Sequence, residues 1–253
     1  MHPQWILPQW PVAGTVRALI TTRAGGYSGG PWAAADGSGG MNLGLGGDDA
    51  AAVTRNRARL REELPGNPCW LQQVHGAAVV DAAALAGTLV QADAALSTRT
   101  GVVCCVLVAD CLPVLLADTN GRGVAVAHAG WRGMAAGVIQ NTARALRGAI
   151  GDPAARFAAY LGPAIGPDHF EVGPEVLEAM ERYLPQARAA FRAGGADKMH
   201  ADLFALARMA LSQVGVRDVF GGCDCTFADP ARFYSYRRDK VTGRHAALIW
   251  LQH

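Results

Sequence analysis

The sequence predicts an α+β or layered α/β domain, and three observations carry that prediction. Short apolar runs with strand character recur between turn residues, from residues 16–21 to the C-terminal tail. Amphipathic segments of helical length, bounded by capping or breaking residues, are mixed among them. A hydrophobic fraction of 51% over 253 residues is enough for one large core or two closely joined small ones. No internal repeat and no clear linker divides the chain.

The elements follow in order. Residues 16–21 form the first strand, joined directly to Thr22-Arg23-Ala24-Gly25-Gly26. A glycine-rich stretch then reads as a long loop, with residues 29–40 as a surface insertion. Asp48-Asp49 caps a helix over 50–64, and Pro65-Gly66 stops it. A strand over 70–74, a turn at His75-Gly76 and a strand over 77–80 come next. The central strands end in a helix over 134–150, stopped near Gly151-Asp152-Pro153. "FAAYLGPAIGP" reads as a strand and a tight turn. Helices over 174–183 and 201–214 precede "VRDVFGG", read as a last core strand, and the tail holds a polar segment, a turn at Thr242-Gly243 and a final strand.

Charge and cysteine usage exclude several classes. The formal net charge is +2, and no Lys/Arg tract marks a nucleic-acid or membrane surface. The longest apolar run, 102–109, is far too short to span a bilayer. "MHPQ" is not a basic start followed by an apolar secretory run, and a chain this long needs no disulfides, so six free thiols in the cytoplasm are expected. No obligate protein partner is evident.

The most informative stretch is "VVCCVLVADCLPVLLADTNGRGVAVAHAGWRG". Asp118-Thr119-Asn120-Gly121 is a hairpin turn signal between two apolar runs. One register sets Cys111 opposite His128; the other sets Pro113 opposite His128. Either brings the thiol and imidazole to the same end of the hairpin, and Pro113 hints at a bulge or an edge there. Such a pair supports a nucleophile with its base, a metal site, or plain packing.

Five motifs, "LQQVHG", "ADCLPVLLAD", "HAGWRG", "LGPAIGP" and "YSYRR", together resemble the YfiH/PgeF family of laccase-domain, polyphenol oxidase-like proteins. The resemblance covers nearly the whole chain, from "TTRAGG", "MNLG" and "VTRNR" to "SYRRD", and implies a single domain over 1–253. The implied fold is a layered α/β/β/α sandwich with mixed sheets, akin to toxin cysteine hydrolases. The implied activity is zinc-dependent phosphorolysis of adenosine, inosine and S-methyl-5′-thioadenosine, with adenosine deamination. The implied metal ligands are His75, Cys111 and His128, which leave a fourth corner open for water.

Beside these ligands, Arg23 is a candidate catalytic phosphate clamp, with Gly25-Gly26 adding backbone donors, or else a loop anchor. Arg132 is a second phosphate candidate or a helix-start ion pair. Asn42 is expected to contact substrate or close an Asx turn. Gln73 is expected to touch ligand or line the sheet, and Trp131 to stack on a purine or pack. Asp110 is expected to make an outer-shell or backbone bond rather than a metal bond. Gly130 and Gly133 allow a sharp exit from the strand, and Cys104 and Cys105 belong to the core. Cys223 and Cys225 are read as structural, and Arg237 and Arg238 as a lid, a phosphate-facing pair or a solvated pair.

Three other functions compete. Copper-dependent phenol oxidation is one, and copper is the alternative ion; but seven scattered histidines are too few for a multicopper set, so copper at the Cys/His site reads as adventitious. A cysteine hydrolase or peptidoglycan editing factor, with Cys111 attacking and His128 as base, is the second. A non-catalytic nucleoside-binding module is the third.

Overall fold

A computed structural model describes residues 2–85 and 87–252; His253, one of the seven histidines, lies outside them. Strands buried on both faces decide the layering. In β14 (His245–Leu251), Ala247, Ile249 and Leu251 face one apolar cluster, while Ala246, Leu248 and Trp250 face another. Side chains two apart share a face, so a continuously apolar strand must be covered on both sides. β14 lies between β1 (Val16–Ile20) and β6 (Val103–Val108), with β3 (Pro68–Cys69) beyond β6 in a four-stranded sheet. Cys104 and Cys105 of β6 point to opposite faces, and both are buried in apolar clusters as expected.

The second sheet has six strands. Its order is β13 (Asp218–Gly221), β9 (Phe157–Leu161), β7 (Leu112–Asp118), β8 (Val124–Ala129), β5 (Ala94–Ser97) and β4 (Val79–Asp81). It is mixed: β9–β13 and β4–β5 are parallel, and the other pairs antiparallel. The two sheets meet over Ile20, Val106, Leu115, Val126 and Ile249. α1 (Ala50–Arg61) covers the small sheet through Leu60, packed with Met41, Leu43 and Leu248. α3 (Val138–Ile150) and α5 (Leu203–Gln213) cover the large sheet through Ile139, Leu146, Leu206 and Leu211. Each such leucine, fully buried, contributes about 1.5–3 kcal/mol. The result is the α/β/β/α sandwich with mixed sheets that the resemblance implies. No helix among the described residues is long and apolar enough to cross a membrane.

The hairpin adopts the second of the two registers. Pro113 pairs with His128, and Ala117 with Val124. The hinted edge is not found, because β7 lies between β8 and β9. Proline is tolerated because it stands at the strand's start, where pairing with β9 begins only at Val114.

Other expectations are corrected. The helix over 134–150 is two helices, α2 (Trp131–Ala135) and α3, broken where Gly137 takes φ 83°. The strand over 70–74 is reduced to one bridge, Gln72 to Gln91. "VRDVFGG" yields β13 at a sheet edge rather than a core strand. The glycine-rich insertion is tied down: β2 (Ala24–Ser28) bridges Gly40, and the buried Asn56 amide bonds Tyr27, Ser28, Gly40 and Asn42. A third sheet, of β10 (Glu171–Val172), β11 (Phe191–Ala193) and β12 (Met199–Ala201), has strands too short for their alternation to show in the sequence. The remaining helices are α4 (Pro174–Glu181) and α6 (Tyr236–Asp239).

Candidate metal centre

Three chain segments meet at one end of the β7–β8 hairpin. β8 carries His128, which is buried. The turn from β6 to β7 carries Cys111, and a bend before β4 carries His75, with φ 59°. The potential ligand atoms of His75, Cys111 and His128 all lie within 4.8 Å of one another, and Cys111 Sγ is 3.9 Å from His75 Nε2. Tetrahedral zinc with such ligands needs donor separations of about 3.3–3.6 Å, so closing on an ion shortens the widest separation by about 1–1.5 Å, shared between the side chains. Two imidazoles and a thiol are also the borderline-soft donor set zinc prefers. The residues therefore fit a metal ion.

One carboxylate organises this cluster. Asp93 is buried at the start of β5, and its Oδ1 accepts from His128 Nδ1 at 2.8 Å and from the His75 backbone N–H at 2.9 Å. Its Oδ2 accepts from the Gly76 N–H at 2.7 Å and the Val74 N–H at 3.2 Å. Because Nδ1 of His128 donates to Asp93, its Nε2 is left as the coordinating nitrogen. The same carboxylate thus orients one imidazole and sets the backbone that presents the other. Burial alone would raise the Asp93 carboxyl, but the donors from His128, Gly76 and Val74 outweigh it and hold it below the usual range.

The Cys111 thiol is treated similarly. Burial pushes it up, yet hydrogen bonds and charge from His128 and His75 prevail and bring it down, favouring the thiolate that a metal or an electrophile requires. Burial pulls His128 down, and its bonds to Asp93 and Cys111 outweigh that and raise it.

Gly130 is needed for space. A Cβ there would stand 2.7 Å from Cys111 Sγ and 3.3 Å from His75 Cδ2, while its φ of −66° is ordinary. The expected outcome for Gly130→Ala is a folded protein whose metal occupancy at limiting zinc falls about tenfold or more, the size of an outer-shell defect. Metal quantification after dialysis, with circular dichroism as the fold control, checks this.

The cluster opens into a cavity of about 680 Å³. Leu71, Leu107, Val108, Ile165 and Phe170 give it apolar walls, and Arg132, Arg237 and Arg244 give it positive charge. Trp131 and Tyr236 also line it. Trp131 and Arg132 both reach the cavity, and the Arg132 guanidinium lies over the Trp131 ring, 4.2 Å from its centroid. Gln73 lines the cavity as well, but its amide is spent on the Leu107 backbone, donating to its carbonyl and accepting from its N–H.

Two substrate-contact expectations fail on position, and their structural alternatives, a loop anchor and an Asx turn, hold. Arg23 is not brought to this cavity: its guanidinium donates to the carbonyls of Ala33 and Pro230 and sits over the Tyr234 ring. Its guanidinium fork satisfies two loop carbonyls in place of an anion. Asn42 is buried, with its amide used by Gly44, Asp48 and Arg244. It closes an Asx turn and does not line this cavity.

Residues left unresolved by sequence now have places. Arg238 donates to the carbonyls of Thr226, Phe227 and Phe233 and pairs with Asp239, so it is a structural tie. Arg237 lines the cavity while donating to the Glu171 carbonyl. Cys223 and Cys225 border a separate cavity of about 550 Å³, and Cys225 Sγ accepts from the Gly166 and Ala228 N–H groups. Asp93 and Arg244 were missed. A carboxylate at the mouth of the wholly buried β5 is a signal for Asp93, since a buried charge needs partners; Arg244 carries no such signal.

The chain resembles known proteins along nearly its whole length. Residues 17–252 match the family described as "Multi-copper polyphenol oxidoreductase laccase". The chain is 47% identical over 250 residues to a purine nucleoside phosphorylase of Pseudomonas aeruginosa, covering 98% of each. It is 46% identical over 249 residues to the purine nucleoside phosphorylase YfiH of Escherichia coli, covering 97% of this chain and 98% of that one. A solved Neisseria meningitidis structure superposes with a TM-score of 0.90 at 45% identity, over 99% of this chain and 100% of the other. YlmD from Geobacillus stearothermophilus gives 0.84 at 29% identity, over 95% and 93%.

Proposed function

We propose a function from the premise that the chain belongs to the YfiH/PgeF family, whose family description is multi-copper polyphenol oxidoreductase laccase. Its relatives support an enzyme of the nucleoside-phosphorylase type. The finer reading is zinc-dependent phosphorolysis of adenosine, inosine and S-methyl-5′-thioadenosine, with adenosine deamination as a lesser activity. It acts as one domain over 1–253 in the cytoplasm, where a reducing setting keeps the Cys111 thiol available as a ligand.

The observation that carries this reading is the His75, Cys111 and His128 cluster opening onto a cavity that also holds three arginines. His75, Cys111 and His128 would hold the ion, which when bound supplies Lewis acidity to whichever substrate atom reaches its open corner. The chain's own residues do the rest. Arg132 and Arg237 give positive charge to hold a phosphate dianion, a role that Arg23, tied to loop carbonyls, is not placed to take. Trp131, Phe170 and Tyr236 offer ring surface to a purine. A hydrogen phosphate oxygen forms a bond to C1′ as the C1′–N9 bond breaks; the pair of the broken bond goes to the purine, which takes the proton that the phosphate gives up.

Phosphorolysis is favoured over deamination because deamination needs a free general acid and base beside the amidine carbon. Among the described residues, the one carboxylate lining the cavity is Asp110, and both its oxygens already accept hydrogen bonds.

One alternative has a geometric basis. Asp93, His128 and Cys111 form a carboxylate–imidazole–thiol chain, the arrangement of a cysteine hydrolase. Phenol oxidation by a multicopper set has less: one cluster of three or more metal-ligating side chains occurs among the described residues. Copper still binds such donors tightly.

The test is an anaerobic, metal-quantified assay of adenosine with and without phosphate. The expected products are adenine and ribose 1-phosphate, formed only with phosphate. Inosine as the main product would favour deamination. Turnover of neither kind, with nucleoside still bound, would leave a binding module; full activity of metal-free protein toward amides would favour the hydrolase.

A further inference from the structure

Asp110 occupies a backbone position that suits glycine. Its φ is +85°, a region that costs a side chain strain, and Asp is among the few residues that tolerate it. Keeping a side chain there needs a reason, and the carboxylate supplies one. Oδ1 accepts from Thr226 Oγ1 at 2.6 Å, and Oδ2 accepts from the Arg237 backbone N–H at 2.6 Å. The Asp110 carbonyl also accepts from the Ile165 N–H at 3.0 Å. Thus the residue before Cys111 binds three segments distant in sequence. Two of them, through Ile165 and through Tyr236 and Arg237, line the same cavity as the metal cluster.

The Arg237 backbone would otherwise hang on a short helix, α6, whose first turn is held by Ser235. Arg237's side chain is also held at the Glu171 carbonyl, and its guanidinium lies over the Phe170 ring, 5.4 Å from the centroid. The Asp110 carboxylate is the link that ties the Arg237 backbone directly to the residue before Cys111, while Glu171 and Phe170 hold the guanidinium end.

We infer that Asp110 is a positioning residue for the anionic co-substrate: it fixes the segment bearing Arg237, and through it the phosphate side of the cavity. This rests on the phosphorolytic reading above. It does not require Asp110 to touch substrate or metal.

Two substitutions separate its roles. Asp110→Gly removes the carboxylate and relieves the backbone at φ +85°. Asp110→Asn keeps one oxygen to accept from the Arg237 N–H and turns its amide donor toward the Thr226 hydroxyl, which can accept. In zinc-quantified protein, with inosine saturating and inorganic phosphate varied, D110G is expected to raise the phosphate KM about tenfold, the scale of one charge-assisted hydrogen bond. Its kcat should change less, zinc stoichiometry should hold, and inosine affinity without phosphate should match the wild type. D110N should restore most of the phosphate KM. Amide exchange across residues 235–239 should speed up in D110G and return towards wild type in D110N.

An unchanged phosphate KM in D110G, or equal damage in D110G and D110N, overturns the inference. So does loss of zinc from D110G, which would make Asp110 a support for Cys111 instead. A wild type that does not phosphorolyse removes the underlying reading and this inference with it, whereas an active wild type with an unaffected D110G removes the inference alone.

Discussion

Cys111→Ala is expected to lose stoichiometric metal and to lower nucleoside turnover by more than the roughly 100-fold that outer-shell changes cost. The thiol is a ligand candidate that no neighbour replaces. Its sulfur lies 3.9 Å from His75 Nε2, and removing it leaves two imidazoles, one of them exposed, to hold the ion. Two neutral donors bind zinc far less tightly than two plus a thiolate. The fold should survive, because Cys111 is only partly buried and stands before β7 rather than inside it. Metal content, turnover and thermal melting of the same preparation check the three parts together. A variant that keeps its metal and its activity would remove Cys111 from the centre.

Asp93→Asn is expected to weaken zinc binding about 10- to 100-fold and to destabilise the protein by about 1–3 kcal/mol. The reason is a mismatch of donors. Both Asp93 oxygens face N–H groups: His128 Nδ1 and the His75 amide on one side, the Gly76 and Val74 amides on the other. An asparagine must turn its NH₂ towards one of these pairs, donor against donor. If it faces His128, the imidazole loses the partner that fixes Nε2 towards the ion. If it faces Gly76 and Val74, the bend that presents His75 loosens. Either orientation damages one histidine, so titration with a competing chelator should show weaker binding and denaturant unfolding a lower midpoint.

Much of this site is legible in the sequence where contacts are local. Cys111 and His128 lie on the two arms of one hairpin, whose turn at Asp118–Gly121 brings its ends together whichever register holds. Thr119 to Gly123 close the loop, with Asp118 accepting from the Asn120 and Arg122 amides. The burial of β6, β7 and β14 on both faces is likewise written as continuous apolar runs. What is not legible depends on pairing across the sheet or on the supply of unpaired backbone groups. His75 reaches the centre through Asp93, and their partnership spans the β4–β5–β8 edge, which no local pattern announces. Arg23 looked like a phosphate clamp because an arginine before two glycines suits an anion loop, but the carbonyls of Ala33 and Pro230 claim it. The break at Gly137 is invisible because apolar residues continue on both sides of it, while its φ of 83° is a property of the folded backbone alone. Gly130 reads as a flexible strand exit; its real constraint, the sulfur 2.7 Å from where a Cβ would be, exists only after the hairpin closes.

X-ray absorption at the zinc edge, on active protein whose metal content has been quantified, tests the centre most directly. One zinc per chain is expected, with one sulfur at about 2.3 Å, two nitrogens at about 2.0–2.1 Å and one light exchangeable ligand. A shell without sulfur, or full nucleoside turnover from protein that carries no metal, would contradict the account.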